Sequence, residues 1–235
     1  MFIAFEDRPS DSPFVERVWA SHSERAGEFL SVASPHWEMV VTRVRGRPSL
    51  IVRGPETHAT TVQCPAEGEW VGIRFKFGTY LPQLPPGSLT DHRNVTLAGA
   101  GARSFWLDGS AWEFPDFENA DTFVARLMRK GLLARDPAVD TWGRRETPGL
   151  SLRSAQRRVL RATGITHAAF RSIQRSRHAT NLLREGVPIL DVVDRCGYFD
   201  QPHLSRSLRR LIGQTPAEIG RHSRQLSFLY KTCTD

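Results

Sequence analysis

The sequence predicts an α+β protein, a β-rich small barrel followed by an all-α domain, and three observations point there. The first ninety or so residues break into short segments rich in β-branched and aromatic side chains, each bounded by Gly or Pro. From Leu97 onward apolar residues recur at helical spacing instead. The charge is also lopsided. The net charge is +7 over 235 residues, but residues 1–135 hold 15 basic and 16 acidic side chains, whereas residues 136–235 hold 17 and 9. A neutral half joined to an Arg-rich half suggests a sensing or assembly module carrying a module for a polyanion. Only three lysines occur in the chain, so an Arg-biased composition accounts for part of this excess.

The element reading follows from the pattern. Trp37–Val44, Ser49–Val52, Ala59–Val62 and Trp70–Phe77 read as strands. In the last, Val71, Ile73, Phe75 and Phe77 alternate with Gly72, Arg74 and Lys76, which predicts one apolar and one wet face. Gly78–Asp91, with Pro82, Pro85, Pro86 and Gly87, reads as a loop able to lie over a sheet opening. Ala98–Trp106 and Asp121–Leu133 read as helices, the second with Asp121 as its cap. Its stripe of Phe123, Val124, Leu127, Met128 and Leu132 fits the ordinary core of its own domain, a joint between domains or a dimer seam. This divides the chain into a β-rich sensing or dimerisation domain (1–96), a helical linker (97–135) and a basic helical domain (136–235).

The last hundred residues predict helices at Pro137–Arg144, Leu152–Thr163, His167–Arg184, Ile189–Arg195, Gln201–Ile212 and Pro216–Arg224. Gly149, Gly164, Gly186, Gly197 and Gly213 fall at the breaks. A short helix, a tight turn and an Arg-rich helix ending in glycine occur twice, from Pro137 to Gly164 and from Pro188 to Gly213. In the second copy Ile189, Val192, Val193 and Cys196 share one helix face, and Gly197 permits a sharp turn. Tyr198 and Phe199 supply a wedge, Asp200 a cap, and Leu204, Leu208, Leu211 and Ile212 the next apolar face. Gln201, Pro202, His203, Ser205, Arg206, Arg209 and Arg210 then point mostly outward. This is the pattern of a helix-turn-helix whose second helix can enter a major groove.

Ile189–Ile219, with its Gly-aromatic turn, Asp-Gln, Leu-Ser-Arg and closing Gly-x-Thr-Pro, resembles the second helix-turn-helix of AraC/XylS-type transcription regulators. Gly149–Gly164 resembles the first recognition helix of that family, with Ser151 as cap and Arg153, Gln156, Arg157 and Arg158 following. Phe170, Arg175, Ala179, Leu182 and Leu183 match its connecting helix. The chain departs from the family at Val193, usually alanine, at Ser176, usually leucine, and at Arg145–Pro148, where the first supporting helix usually ends. The resemblance implies a cupin-like N-terminal domain and a double helix-turn-helix domain. It also implies that Arg153, Gln156, Arg157, Gln201, His203, Ser205 and Arg206 face bases, while Arg158, Arg161, Arg209 and Arg210 hold phosphates. The implied partners are double-stranded DNA, RNA polymerase and a small-molecule effector, for a cytoplasmic monomer or homodimer with no cofactor and no catalysis.

Other chemistries are poorly supported. No apolar run approaches the ~18–20 residues that span a bilayer, and Met1–Ser10 lacks the pattern of a secretory leader. Cys64, Cys196 and Cys233 are too few and too scattered for a disulfide framework or a four-thiolate zinc site. Cys64 with His36 or His58 lacks a nucleophile signature, and His36, His58 and His92 lack paired-ligand spacing. The alternative to a DNA-binding regulator is a small β-barrel enzyme with an incidental basic helical domain.

Overall fold

The computed structural model describes residues 3–91, 94–139 and 151–221. The chain forms two compact units that do not follow chain order. One comprises Met1–Gly27, Pro35–Pro55 and Cys64–Thr166, and the other Glu28–Ser34, Glu56–Gln63 and His167–Asp235.

The first unit is built on strands β1 (Ile3–Pro9), β2 (Val15–Ser23), β4 (Glu38–Val44), β5 (Arg47–Arg53), β7 (Gly68–Phe75) and β9 (Val95–Leu97); β3 (Gly27–Ser31) and β6 (Thr60–Cys64) pair with each other in a separate two-stranded ribbon. The six strands form one sheet in the order β1-β2-β7-β4-β5-β9. The β4–β5 hairpin closes through Arg45 (φ 51) and Gly46 (φ 73), the two left-handed residues that a tight hairpin turn requires. The sheet is open, its ends β1 and β9 unpaired with each other, so the expected closed barrel is not formed.

The strand expected at Trp70–Phe77 is β7, shifted by two residues, and it lies between β2 and β4 in the middle of the sheet. Its neighbours pair both of its edges, and Gly72, Ile73, Arg74 and Phe75 are buried in succession, so the wet face expected at Gly72 and Arg74 is absent. Gly72 lies against the Trp19 ring, where a Cβ would come within 2.0 Å of it. Arg74 is buried opposite Glu38 on β4, and its Nε donates to the Glu38 carboxylate at 2.7 Å. A buried guanidinium is tolerated there because its counter-charge is directly across the strand pair.

Further strands β8 (Thr79–Tyr80), β10 (Gly99–Gly101), β11 (Ser104–Leu107) and β12 (Ser110–Glu113) follow, with a 3₁₀ turn at Pro86–Ser88. Ala98–Trp106, expected as a helix, is thus strand. Phe105 and Leu107 are buried while Trp106 between them is half exposed, which is the period of two of a strand. Helix α1 (Ala120–Arg129) buries Phe123, Val124 and Leu127 in the same core as Trp37, Phe75, Phe105 and Trp112, so the stripe is core of its own unit. Its N-cap is Asn119 rather than Asp121. Asp121 instead binds Arg8 at 2.6 Å and accepts from the Ser10 hydroxyl. Burial opposes ionisation of Asp121, but these partners hold its carboxyl below the usual range. β13 (Ala134–Arg135) pairs with β8. Of the helix expected at Pro137–Arg144, Pro137–Val139 form a 3₁₀ turn, while 140–144, His92, Arg145–Pro148 and 222–224 lie outside the described residues. Helix α2 (Leu152–Thr163) completes the unit.

The second unit contains α3 (His167–Arg184), α4 (Ile189–Arg195), α5 (Gln201–Leu211) and α6 (Pro216–Gly220), together with the ribbon of β3 and β6. The ends of the ribbon bond to the end of α5. Ala33 N–H donates to the Leu211 carbonyl and Ala59 N–H to that of Arg210, each at 2.8 Å. A helix leaves its last carbonyls without internal donors, and here backbone from the N-terminal half of the chain supplies them. Arg177 on α3 donates to the Ala33 carbonyl at 3.0 Å, and the Ser31 hydroxyl donates to the Glu56 carboxylate at 2.8 Å. No described helix is long and apolar enough to cross a membrane.

Candidate nucleic-acid interface

The α4–turn–α5 segment has the geometry its sequence predicts. Val192, Val193 and Cys196 are buried on one side of the turn, and Leu204, Leu208 and Leu211 on the other. Gly197 takes φ 64, which lets the chain reverse at the end of α4. Asp200 caps α5, its carboxylate accepting the His203 N–H at 2.7 Å. Tyr198 is buried and its hydroxyl lies 3.1 Å from that of Ser176 on α3 and 3.3 Å from that of Ser207 on α5. Ser176, where the family usually has leucine, is thus part of a closed hydroxyl trio, with Ser207 3.0 Å away. Arg175 stacks over the Tyr198 ring at 4.3 Å and donates to the Gly197 carbonyl at 3.2 Å. The turn is therefore clamped from α3 by one guanidinium and one hydroxyl.

Only half of the expected aromatic wedge is real. Tyr198 fills the gap, whereas Phe199 is 91% exposed. One aromatic ring suffices to close the angle between the helices, and the next residue points the other way as the chain extends into the cap.

The polar face of α5 is largely exposed. Gln201, Pro202, Arg206, Arg209 and Arg210 are exposed, while His203 and Ser205 are half-buried at its flanks. Arg209 pairs with Glu218 on α6 at 3.1 Å. That carboxylate also accepts from the Thr215 backbone N–H at 2.7 Å in a capping box, and these bonds hold it below the ordinary glutamate range. Burial pushes the Cys196 thiol up, as it does that of Cys64, so both behave as packing residues.

Helix α2 has the same design in the other unit. Ser151 caps it, accepting the Ser154 N–H at 3.2 Å, and Gly164 ends it at φ 75. Val159 and Ala162 pack with Ala138, Val139, Phe77 and Tyr80. Arg153, Gln156, Arg157 and Arg161 are exposed. Arg158 instead forms a paired contact with the Asp136 carboxylate, Nε to one oxygen and a terminal nitrogen to the other, both at 3.1 Å. The loop around Pro86–Ser88 grips the end of the helix, with the Thr90 hydroxyl donating to the Gly164 carbonyl at 3.1 Å. An open cleft of about 340 Å³ lies between Pro85, Gly87 and Ser88 on one side and Arg157, Leu160 and Arg161 on the other. Asp136 was not anticipated as a partner, because an acid 22 residues away gives no sequence signal. Among the described residues no group of His, Cys, Asp and Glu could hold a metal ion.

The α4–turn–α5 segment has the form of a helix-turn-helix, and a comparison with known families agrees. Residues 147–222 match the model of a helix-turn-helix domain. That domain is of the AraC type, consistent with an AraC/XylS-type regulator, and it supports a DNA-binding transcription regulator. No curated protein and no solved structure matches the chain.

Proposed function

We propose that the protein is a sequence-specific regulator that reads two adjacent major-groove segments, one with α2 and one with α5. The observation that carries this reading is the outward face of α5. It is a row of amide, imidazole, hydroxyl and guanidinium groups on a helix whose opposite face is wholly buried. Gln201, His203, Ser205 and Arg206 face bases in α5, and Arg153, Gln156 and Arg157 do so in α2. Arginine pairs bidentately with guanine and glutamine with adenine, each contributing about 1–3 kcal/mol of discrimination. Arg161, Arg209 and Arg210 hold phosphates, and Arg158 joins them when it leaves Asp136. The connecting helix α3 has 18 residues. At 1.5 Å per residue it is about 27 Å long, against ~34 Å between successive grooves on one duplex face. Control by a small effector in the cupin-like N-terminal region, and recruitment or blocking of RNA polymerase by a monomer or homodimer, complete the reading.

The test is selection of bound fragments from genomic DNA by the full chain, followed by affinity measurements across salt. A reader enriches one sequence and loses affinity steeply as salt rises. Arg206→Ala relaxes choice at particular base positions, whereas Arg210→Ala weakens all sequences alike. Equal affinity for every duplex overturns the proposal.

A further inference from the structure

Phe199 stands out because its side chain is the most exposed large hydrophobic one among the described residues. A hydrophobic residue just before a helix cap ordinarily packs on the fourth helical residue, here Leu204. Leu204 is fully buried, and Phe199 is 91% exposed. The phenyl ring therefore projects from the N-terminal tip of α5. That tip is the part of a recognition helix that meets base edges.

The backbone at this point is fixed to a neighbouring reader. Phe199 N–H donates to Nδ1 of His203 at 3.4 Å, and the His203 ring meets Tyr198 edge-on at 5.2 Å between centroids. With Nδ1 accepting, the ring proton sits on Nε2, which makes Nε2–H the donor of this half-buried ring. An exposed phenyl beside an imidazole N–H donor matches one base edge in the major groove. Thymine presents a C5-methyl group next to the O4 acceptor; cytosine has no methyl and offers a donor instead.

We propose that Phe199 and His203 together read a thymine, the phenyl ring covering its methyl and Nε2–H bonding to O4. This rests on the reading of α5 as a base-reading helix, and it adds a specificity residue whose aromatic character had suggested packing alone.

The experiment uses the full chain and the sequence it selects from genomic DNA. Each thymine of the α5 half-site is replaced in turn by deoxyuridine, which lacks only the methyl. At one position wild type loses about three- to fivefold in affinity, the worth of one buried methyl, and Phe199→Ala no longer distinguishes the two bases. Placing 5-methylcytosine opposite guanine at that position keeps the methyl but removes the acceptor. Wild type loses about five- to tenfold there, and His203→Ala narrows that gap while keeping the methyl preference. Because Phe199 is exposed, Phe199→Ala leaves the unfolding transition unchanged. A chain that selects one sequence yet treats thymine and deoxyuridine alike at every position overturns the thymine contact alone. A chain without sequence preference overturns the base-reading helix and this contact with it.

Discussion

Helices α2 and α5 carry nearly the same message in sequence and receive different support in structure. Each opens on a side-chain cap, Ser151 or Asp200, buries one apolar stripe, and ends beside a left-handed glycine, Gly164 or Gly213. α5 is braced by α3, α4 and α6, and its final carbonyls are bonded by Ala33 and Ala59. α2 packs with a few residues of the sheet-bearing unit, is gripped at its end by Thr90, and spends Arg158 on Asp136. The contrast teaches that residue pattern specifies a capped amphipathic helix, while its neighbours decide how firmly the helix is held and which arginines remain unpaired by the fold.

The largest expected effect separates the two supports. Leu208 is fully buried, and Leu208→Ala costs about 2–5 kcal/mol. All six tryptophans belong to the residue ranges of the first unit, so tryptophan fluorescence reports that unit. In urea, the Leu208→Ala transition moves by far-ultraviolet circular dichroism and not by fluorescence. Val159→Ala, worth about 1–2 kcal/mol, moves the fluorescence transition. Identical shifts by both probes for both variants would mean that the helices share one cooperative support.

A smaller effect targets the ribbon. Gly213 has φ 82, and a Cβ there would lie 3.2 Å from Ala59 and Leu30 side chains. Gly213→Val therefore costs about 1–3 kcal/mol and speeds amide exchange at Ala33 and Ala59. Exchange unchanged at both amides would show that the ribbon is held by something other than the end of α5.

Smaller again is the release of Arg158. That pair is half exposed, so Asp136→Asn lowers stability by less than about 1 kcal/mol. The freed guanidinium steepens the salt dependence of DNA binding by about one unit of log slope. An unchanged slope would remove Arg158 from the phosphate contacts.

The smallest effect is a pH response at α6. The Glu218 carboxyl is held down chiefly by the Thr215 backbone N–H, then by the Thr215 hydroxyl and Arg209. A depressed carboxyl stabilises the fold above its unfolded value, and that contribution disappears as pH falls through the folded value. Amide exchange at Thr215 should quicken below the ordinary glutamate range, and Glu218→Gln should abolish the pH response. A response that persists in the glutamine variant would assign it elsewhere.

Much of the α4–turn–α5 segment was legible because its determinants are local. Caps, the Gly197 turn and the spacing of Leu204, Leu208 and Leu211 lie within a few residues of one another. The bounds of α3 and α4 follow the sequence pattern for the same reason. What failed depended on distant partners. Arg74 reads as a surface residue until Glu38 arrives across the sheet, and Ala98–Trp106 reads as helix until β11 and β12 pair. The open sheet could not be told from a barrel, since alternation fixes faces and leaves closure undetermined. Phe199 was misassigned because two adjacent aromatics look equally suited to one gap.

The ribbon has a consequence for anyone wishing to transplant the α5 reader onto another protein. Its folded unit is assembled from three separate stretches of chain, two of them more than a hundred residues upstream. Excision at the start of the helical segment would discard the peptide donors at its far end and bare the Gly213 side of the unit. A working graft must carry residues 28–34 and 56–63 along, spliced through a new hairpin. The reader is a keyed part rather than an interchangeable cassette.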